Sequence, residues 1–186
     1  CWLDLIRIVS SFVFRDKNFG ERIISSFKIN ADDYGLNDHA DKVILAQAQA
    51  SSVVRISILA NLVSQKSLSN LNLLSKKRNL DLNLHFNLLC GQPISPITNV
   101  PSLVDKNGQF FSLPKFLIKI LFSKINMRQV ELELSQQFNY LKNNGINCVG
   151  LDSEQHLHIF YPIWPVIVQF AKKNNLKIRS QKSTFY

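Results

Sequence analysis

Three short polar clusters contain the residue types that could bind a metal ion or move a proton. The first is the run Asn30-Ala31-Asp32-Asp33, in which adjacent carboxylates can point in different directions. Such a pair can divide metal binding from base chemistry between its two members. Taken alone, an Asp-Asp pair is more typical of a loop or a helix cap, so its weight depends on the other clusters.

The second cluster lies in a run that alternates polar and apolar residues. If this run is a strand, Asn83, His85 and Asn87 share one face, and Leu84 and Phe86 lie on the other. His85 could then face a polar pocket, or it could be a hydrogen-bonded structural residue. The run alone leaves both interpretations open.

The third cluster, within residues 151–158, is the densest set of candidate ligands in the chain. It combines the carboxylates of Asp152 and Glu154 with the imidazoles of His156 and His158. Carboxylates and imidazoles together are typical ligands of divalent cations. The alternative is a polar loop with one hydrogen-bonded histidine, but the density of ligand types favours a metal site.

These clusters fall at the ends of predicted strands. Apolar runs and β-branched residues predict strands at 27–31, 53–60, 80–88, 147–151 and 176–179. Helical spacing predicts helices at 38–49 with Asp38 as N-cap, at 68–77, in runs within 117–144, and at 163–174. This alternation predicts an α/β fold with parallel strands, right-handed crossovers and functional residues at the carboxyl ends of the strands. The four prolines and two glycines of residues 91–114 predict a long surface loop.

Composition limits the other classes of function. The chain has 186 residues, of which 46% are hydrophobic, enough for one sizeable core in one domain or in part of a larger one. The net charge of +9 comes from scattered Lys and Arg residues, without the basic helix face or aromatic platform typical of nucleic-acid binding. Three cysteines without CxxC spacing argue against a disulfide framework and favour a reducing cytoplasm. The apolar run at 2–14 is too short and too charged to span a membrane.

Four segments, in this order, resemble the signature segments of the YdjC-like carbohydrate deacetylases, which act on chitooligosaccharides. They read INADDYGL, LHFNLLCGQPISP, VPSLVDKNGQFF and LDSEQHLHIF. The resemblance covers residues 27–179 and implies a partial or modified (β/α) barrel related to the polysaccharide deacetylases. It further implies that residues 26–186 form the deacetylase domain without its C-terminal part, after an N-terminal extension, residues 1–25, of unknown role.

The resemblance also implies roles for the residues of the three clusters. Asp32 is expected to be the general base, and Asp33 and His85 are expected to be metal ligands. Where the family usually reads Asp-Ser-His-x-His-x-His, with its first His a ligand, this chain has Glu154. The remaining polar residues are expected to bind substrate or to support the ligands: Asn87, Asp152, His156, His158 and Arg179.

Glu154 leaves two hypotheses open. As a third metal ligand it would make the site harder and more anionic, favouring Mg²⁺ or Mn²⁺ over Zn²⁺. It could instead mark a catalytically inactive sugar- or metal-binding remnant of the family. The implied reaction is metal-dependent hydrolysis of the N-acetyl group of an amino sugar, and Mg²⁺ is the cofactor first expected. The resemblance allows a homodimer, and no nucleic-acid or membrane partner is expected.

Overall fold

The described part of the chain forms one parallel β-sheet. The computed structural model describes residues 29–50 and 53–179, so the predicted extension at residues 1–25 lies outside it. The sheet has the strand order β1-β2-β3-β4-β5, and every neighbouring pair is parallel, which confirms the predicted α/β alternation. The strands are β1 (Ile29–Tyr34), β2 (Val53–Ile58), β3 (Asp81–Phe86), β4 (Cys148–Ser153) and β5 (Lys177–Ile178).

Helices connect these strands. They are α1 (Asp38–Ala50), α2 (Gln65–Lys77), α3 (Leu113–Leu121), α4 (Met127–Asn143) and α5 (Ile163–Lys173), with short 3₁₀ segments at Ile97–Asn99 and Glu154–Ile159. Among the described helices, none combines the length and the apolar character needed to cross a membrane.

The predicted cap of α1 was wrong by one residue. The side-chain oxygen of Asn37, not of Asp38, accepts hydrogen bonds from the backbone N–H groups of His39 at 3.1 Å and Ala40 at 2.9 Å. Asn and Asp cap about equally well, so residue type could not separate the two neighbours.

The hydrophobic core lies between the sheet and the helices. Strand residues with no exposed surface pack with similarly buried residues of α2, α4 and α5. Each such aliphatic or aromatic side chain contributes roughly 1.5–3 kcal/mol relative to an exposed position. The fully buried members include Ile56, Ile58, Leu84, Phe86, Leu151, Leu71, Leu134 and Ile167.

The segment at 91–114 is more than a surface loop. The loop packs apolar side chains into the core, and the buried carboxylate of Glu133 on α4 accepts hydrogen bonds from the backbone N–H groups of Ile94 and Ser95, both at 2.9 Å. Its buried apolar residues are Val100, Leu103, Val104, Phe110 and Phe111. Prolines and glycines predict the irregular backbone, but they do not reveal which intervening side chains face inward.

The sheet curves strongly. In a flat sheet, β1 and β5 would lie four strand spacings apart, about 19 Å. Nevertheless Arg179, just after β5, places its Nη1 atom 2.8 Å from both carboxylate oxygens of Asp32 on β1. The sheet therefore bends around its carboxyl end, as expected for a barrel-like fold.

Candidate active site

The three polar clusters meet at the carboxyl edge of the sheet. Asp32 and Asp33 lie on β1, His85 lies on β3, Asp152 lies on β4, and Glu154 begins the 3₁₀ segment that follows β4. The apolar runs predict that the first strand ends before Asp32 and the fourth before Asp152. The strands extend through these polar residues, which therefore sit on rigid sheet backbone.

The imidazole of His85 lies at the centre of the site. Its Nε2 atom is 3.4 Å from Asp33 Oδ1 and 3.5 Å from Glu154 Oε2. One ligand atom from each of these three residues falls within 4.8 Å of the others. These are the three residues expected to be metal ligands, and two carboxylate oxygens with one imidazole nitrogen suit a divalent cation. Their role as ligands stays a prediction.

The opposite ring nitrogen of His85 has a separate partner. Its Nδ1 atom lies 2.8 Å from Asp152 Oδ1, and the hydroxyl of Ser57 donates to Asp152 Oδ2 at 2.7 Å. With Nδ1 on Asp152, Nε2 is the ring nitrogen that faces Asp33 and Glu154. Metal-binding histidines commonly have such a carboxylate on their other nitrogen.

A second group with clustered ligand atoms comprises Asp32, His85 and Asp152. In this group Asp152 is 1% exposed and already accepts hydrogen bonds from His85 and Ser57, while Arg179 Nη1 lies 3.4 Å from its Oδ2. This arrangement fits a hydrogen-bond network that orients His85 better than it fits a second metal site.

The charges around His85 favour a cation. Burial lowers the pKa of His85, but hydrogen bonds to Asp152, Asp33 and Glu154 outweigh it and raise this pKa well above its ordinary value. The hydrogen bond with His85 lowers the pKa of Glu154 despite partial burial. Burial raises the pKa of Asp152, yet its hydrogen bond to His85 leaves the net shift downward. The carboxylates of Glu154 at Nε2 and of Asp152 at Nδ1 therefore stay ionised beside the ring.

Asp32 is oriented but remains accessible. Arg179 Nη1 contacts both of its carboxylate oxygens, and the side-chain amide of Asn30 donates to Oδ1. The Asp32 side chain is nevertheless 33% exposed. Burial lowers the pKa of Arg179, but its hydrogen bond to Asp32 outweighs this effect, so the guanidinium stays charged. A held, accessible carboxylate beside the ligand cluster is suited to accepting a proton.

The other predicted site residues occupy different surroundings. His158 is fully buried and hydrogen-bonds to Ser153, while His156 is exposed and contacts the His158 ring edge-on at 6.0 Å between centroids. Asn87 accepts hydrogen bonds from backbone N–H groups in the turn after β3, and its amide donates to Asn61. The structure thus gathers Arg179 and Asp152 at the cluster, whereas Asn87 stabilises a turn. Substrate contacts for these residues stay predictions.

Sequence reasoning missed two supporting residues. Ser57 has no exposed surface and connects Asn30 with Asp152. The side-chain amide of Asn30 donates to Ser57 Oγ at 3.1 Å, and the Ser57 hydroxyl donates to Asp152. The available signals were a serine between two isoleucines of β2, and Asn30 two positions before Asp32 on the same strand face.

The backbone is unusual on both sides of the ligand cluster. Asp33, Gln155 and His156 have left-handed φ angles of 65°, 49° and 55°. Such conformations are rare outside glycine and concentrate at functional sites. Gly35, with φ of 102°, closes the turn after β1, where an added Cβ would lie 2.7 Å from Val63 Cβ. The positions of Asp33 and Glu154 therefore depend on tight, specific turns.

Comparison with known proteins adds independent information. The family model described as YdjC-like protein matches residues 27–185. A carbohydrate deacetylase of Halalkalibacterium halodurans is 29% identical over 152 residues, covering 82% of this chain and 62% of the relative. A chitooligosaccharide deacetylase of Proteus mirabilis is 30% identical over 153 residues, covering 81% of this chain and 57% of the relative. The chain spans about three fifths of the length of these curated relatives.

A solved structure is similar in fold. The crystal structure of a proposed cellobiose-phosphate cleavage protein from Enterococcus faecalis aligns with a TM-score of 0.74 over 85% of this chain and 59% of that chain. The two sequences are 23% identical, so this similarity concerns the fold alone. It agrees with the curved parallel sheet and the predicted fold class.

Proposed function

Because the chain belongs to the YdjC-like protein family, we propose that it removes N-acetyl groups from chitooligosaccharides or related amino sugars, with residues 26–186 as its deacetylase domain. The observation that carries the proposal is the convergence of Asp33, His85 and Glu154 beside Asp32. The names of the curated relatives, carbohydrate and chitooligosaccharide deacetylases, support the reaction class.

We propose that Asp33, His85 and Glu154 hold a divalent cation. The donor set fits, because two carboxylates and one imidazole bring ligand atoms within 4.8 Å of one another from β1, from β3 and from the 3₁₀ segment after β4. Mg²⁺ is the first candidate and Mn²⁺ the next, since oxygen ligands predominate, and Zn²⁺ is a weaker alternative. Such a cation would act as a Lewis acid towards the acetamide carbonyl and would activate water.

The chain's own residues would then direct proton movement. Asp32 accepts a proton from the attacking water as the water oxygen bonds to the acetamide carbon. The carbon–nitrogen bond breaks and the nitrogen takes up a proton, giving acetate and a free amino sugar. Arg179 and Asn30 hold the Asp32 carboxylate during this transfer, while Asp152 fixes the ring of His85.

The direct test measures acetate release from N,N′-diacetylchitobiose with Mg²⁺, with and without a chelator. Release by the native chain that stops on chelation is expected. The variant Glu154→His, which has the residue usual in the family, is measured in parallel. Release by the variant but not by the native chain would identify Glu154 as the cause of inactivity.

The second candidate function is an inactive sugar- or metal-binding remnant, and the observation that favours it is Glu154 in place of the usual histidine. Sugar binding without acetate release from either protein, with metal present, would support the remnant and contradict the deacetylase proposal. We also propose a cytoplasmic location, in keeping with three cysteines that lack CxxC spacing, and a homodimer, which light scattering would test.

A further inference from the structure

We propose that His158 is a positioning residue: as a neutral imidazole with its proton on Nε2, it fixes the backbone of Arg179 and thereby sets the guanidinium against Asp32. The inference rests on the proposed function. His158 acts through Arg179, and Arg179 contacts Asp32, the proposed general base. His158 itself is buried beneath the cluster and would not touch the substrate.

The contacts with Ser153 define one side of the ring. The backbone N–H of His158 donates to Ser153 Oγ at 2.8 Å, and the same oxygen lies 2.8 Å from His158 Nδ1. Because the oxygen already accepts from the backbone N–H, its hydroxyl hydrogen is available for Nδ1. With Nδ1 as the acceptor of that hydrogen, the proton of a neutral ring lies on Nε2.

The other side of the ring requires the same tautomer. His158 Nε2 lies 3.3 Å from the carbonyl oxygen of Arg179, a group that can only accept. Nε2 must therefore donate. Burial is the main reason that the pKa of His158 is below its ordinary value, so the ring is neutral near pH 7. Both neighbours and the burial agree on one protonation state.

The bond to His158 is important because Arg179 follows a very short strand. β5 has two residues, and the backbone N–H of Arg179 donates to the carbonyl of Leu151 on β4 at 3.1 Å. His158 holds the carbonyl of the same residue. With both backbone groups fixed, the side chain places Nη1 at 2.8 Å from both oxygens of Asp32 and 3.4 Å from Asp152 Oδ2.

The tautomer is tested by nitrogen-15 NMR of the imidazole rings. The chain has four histidines, and the His158 signals are assigned by their loss in His158→Gln. Near neutral pH we expect an unprotonated Nδ1 and a protonated Nε2, and the variant Ser153→Ala should keep the proton on Nε2, because the Arg179 carbonyl can only accept. A proton on Nδ1 in the native chain would overturn the proposal, whether or not the protein is a deacetylase.

The positioning role is tested by two substitutions of His158, each of which retains a different part of its hydrogen bonding. In His158→Gln the amide nitrogen can reach the place of Nε2 and donate to Arg179, whereas in His158→Asn the shorter amide reaches only towards Ser153. We expect His158→Asn to lower kcat for acetate release on the order of 10-fold with KM little changed, and His158→Gln to restore most of it. The variant His39→Gln, at an exposed position on α1, should match the native chain. Equal losses in the Asn and Gln variants would contradict the proposal.

A thermal-unfolding cycle separates this inference from the proposed function. The Tm loss of the double variant His158→Asn/Arg179→Met should be smaller than the sum of the two single losses. Each substitution alone already weakens the connection from His158 through Arg179 to Asp32. Additive losses would overturn the positioning role. Non-additive losses together with no acetate release in any protein would support the positioning role while contradicting the deacetylase proposal.

Discussion

At the residue scale, the two nitrogens of His85 divide the site into an inner and an outer part. Asp152 lies at Nδ1 and is 1% exposed, while Asp33 and Glu154 lie at Nε2 on the accessible side. The alternation of β3 placed His85 on the polar face of the strand and left open whether it faces a pocket. It could not predict Ser57 or the inner role of Asp152, because contacts between strands depend on register.

We predict that Glu154→His changes metal preference. Replacing a carboxylate with an imidazole makes the donor set softer, so affinity for Mg²⁺ should fall and affinity for Zn²⁺ should rise, each on the order of 10-fold. Calorimetric titration of the metal-free protein measures both. Glu131→His, at an exposed position of α4, is the control. Unchanged preference would argue against Glu154 as a ligand.

We predict that Asp32→Asn lowers acetate release by about 10²–10⁴-fold, because an amide cannot accept the proton of the attacking water. Metal affinity should change little, since Asp32 lies outside the group formed by Asp33, His85 and Glu154. Asp38→Asn, on the exposed first turn of α1, controls for loss of charge. Turnover that survives in Asp32→Asn would assign the base to another residue.

We predict a pH dependence of stability from His158. Burial holds its pKa below the ordinary value of about 6.5, so the unfolded chain takes up the proton first as pH falls. The stability contributed by the neutral ring is complete above about pH 6.5 and is lost as pH falls through the folded-state pKa.

The measurement compares the native chain with His158→Gln, whose side chain does not titrate. Their difference in free energy of unfolding should shrink between about pH 7.5 and about pH 5.5. Asp152, His156 and His85, which also act on this ring electrostatically, are present in both proteins. A difference that stays constant would show that folding does not change the pKa of His158, and one that grows as pH falls would show that His158 is protonated in the folded state.

At the element scale, α4 fixes the carboxyl end of β3 by side-chain contacts. Gln137 donates to the carbonyl of Asn87 at 2.7 Å and accepts from its backbone N–H at 3.1 Å, as a neighbouring strand would. Gln137 also donates to Glu133, which holds the loop at Ile94 and Ser95. Periodicity predicted helical runs within 117–144 but not this function, because spacing alone does not show which polar side chains of a helix are buried.

We predict that Glu133→Ala destabilises the chain. It leaves the N–H groups of Ile94 and Ser95 without their acceptor, at a cost of about 1–3 kcal/mol for each buried group. Urea denaturation measures the total, and limited proteolysis should show faster cleavage within residues 91–114. Glu131→Ala, two positions earlier on the exposed side of α4, should have little effect. Equal effects of the two variants would contradict the proposed anchoring.

At the scale of the whole molecule, the curved sheet brings together residues far apart in the chain. Asp32 lies on the first described strand and Arg179 just after the last one, and their contact spans the carboxyl end of the sheet. Strand–helix alternation predicted parallel strands and functional residues at this end. It could not predict the curvature, because the alternation of elements does not show how side chains pack across the sheet.

The curvature could depend on the Arg179–Asp32 ion pair or on the core, and a double-mutant cycle separates these causes. The two side chains are 35% and 33% exposed, so solvent screens their attraction, and we predict a coupling of about 0.5–1 kcal/mol. The cycle uses Arg179→Met and Asp32→Asn in urea denaturation. The matched control is Arg55–Asp81, 3.5 Å apart between adjacent strands and similarly exposed. Similar couplings would mean that core packing produces the curvature and that the ion pair forms as a result of it. A coupling several kcal/mol larger for Arg179–Asp32 would mean that the ion pair itself holds the sheet closed.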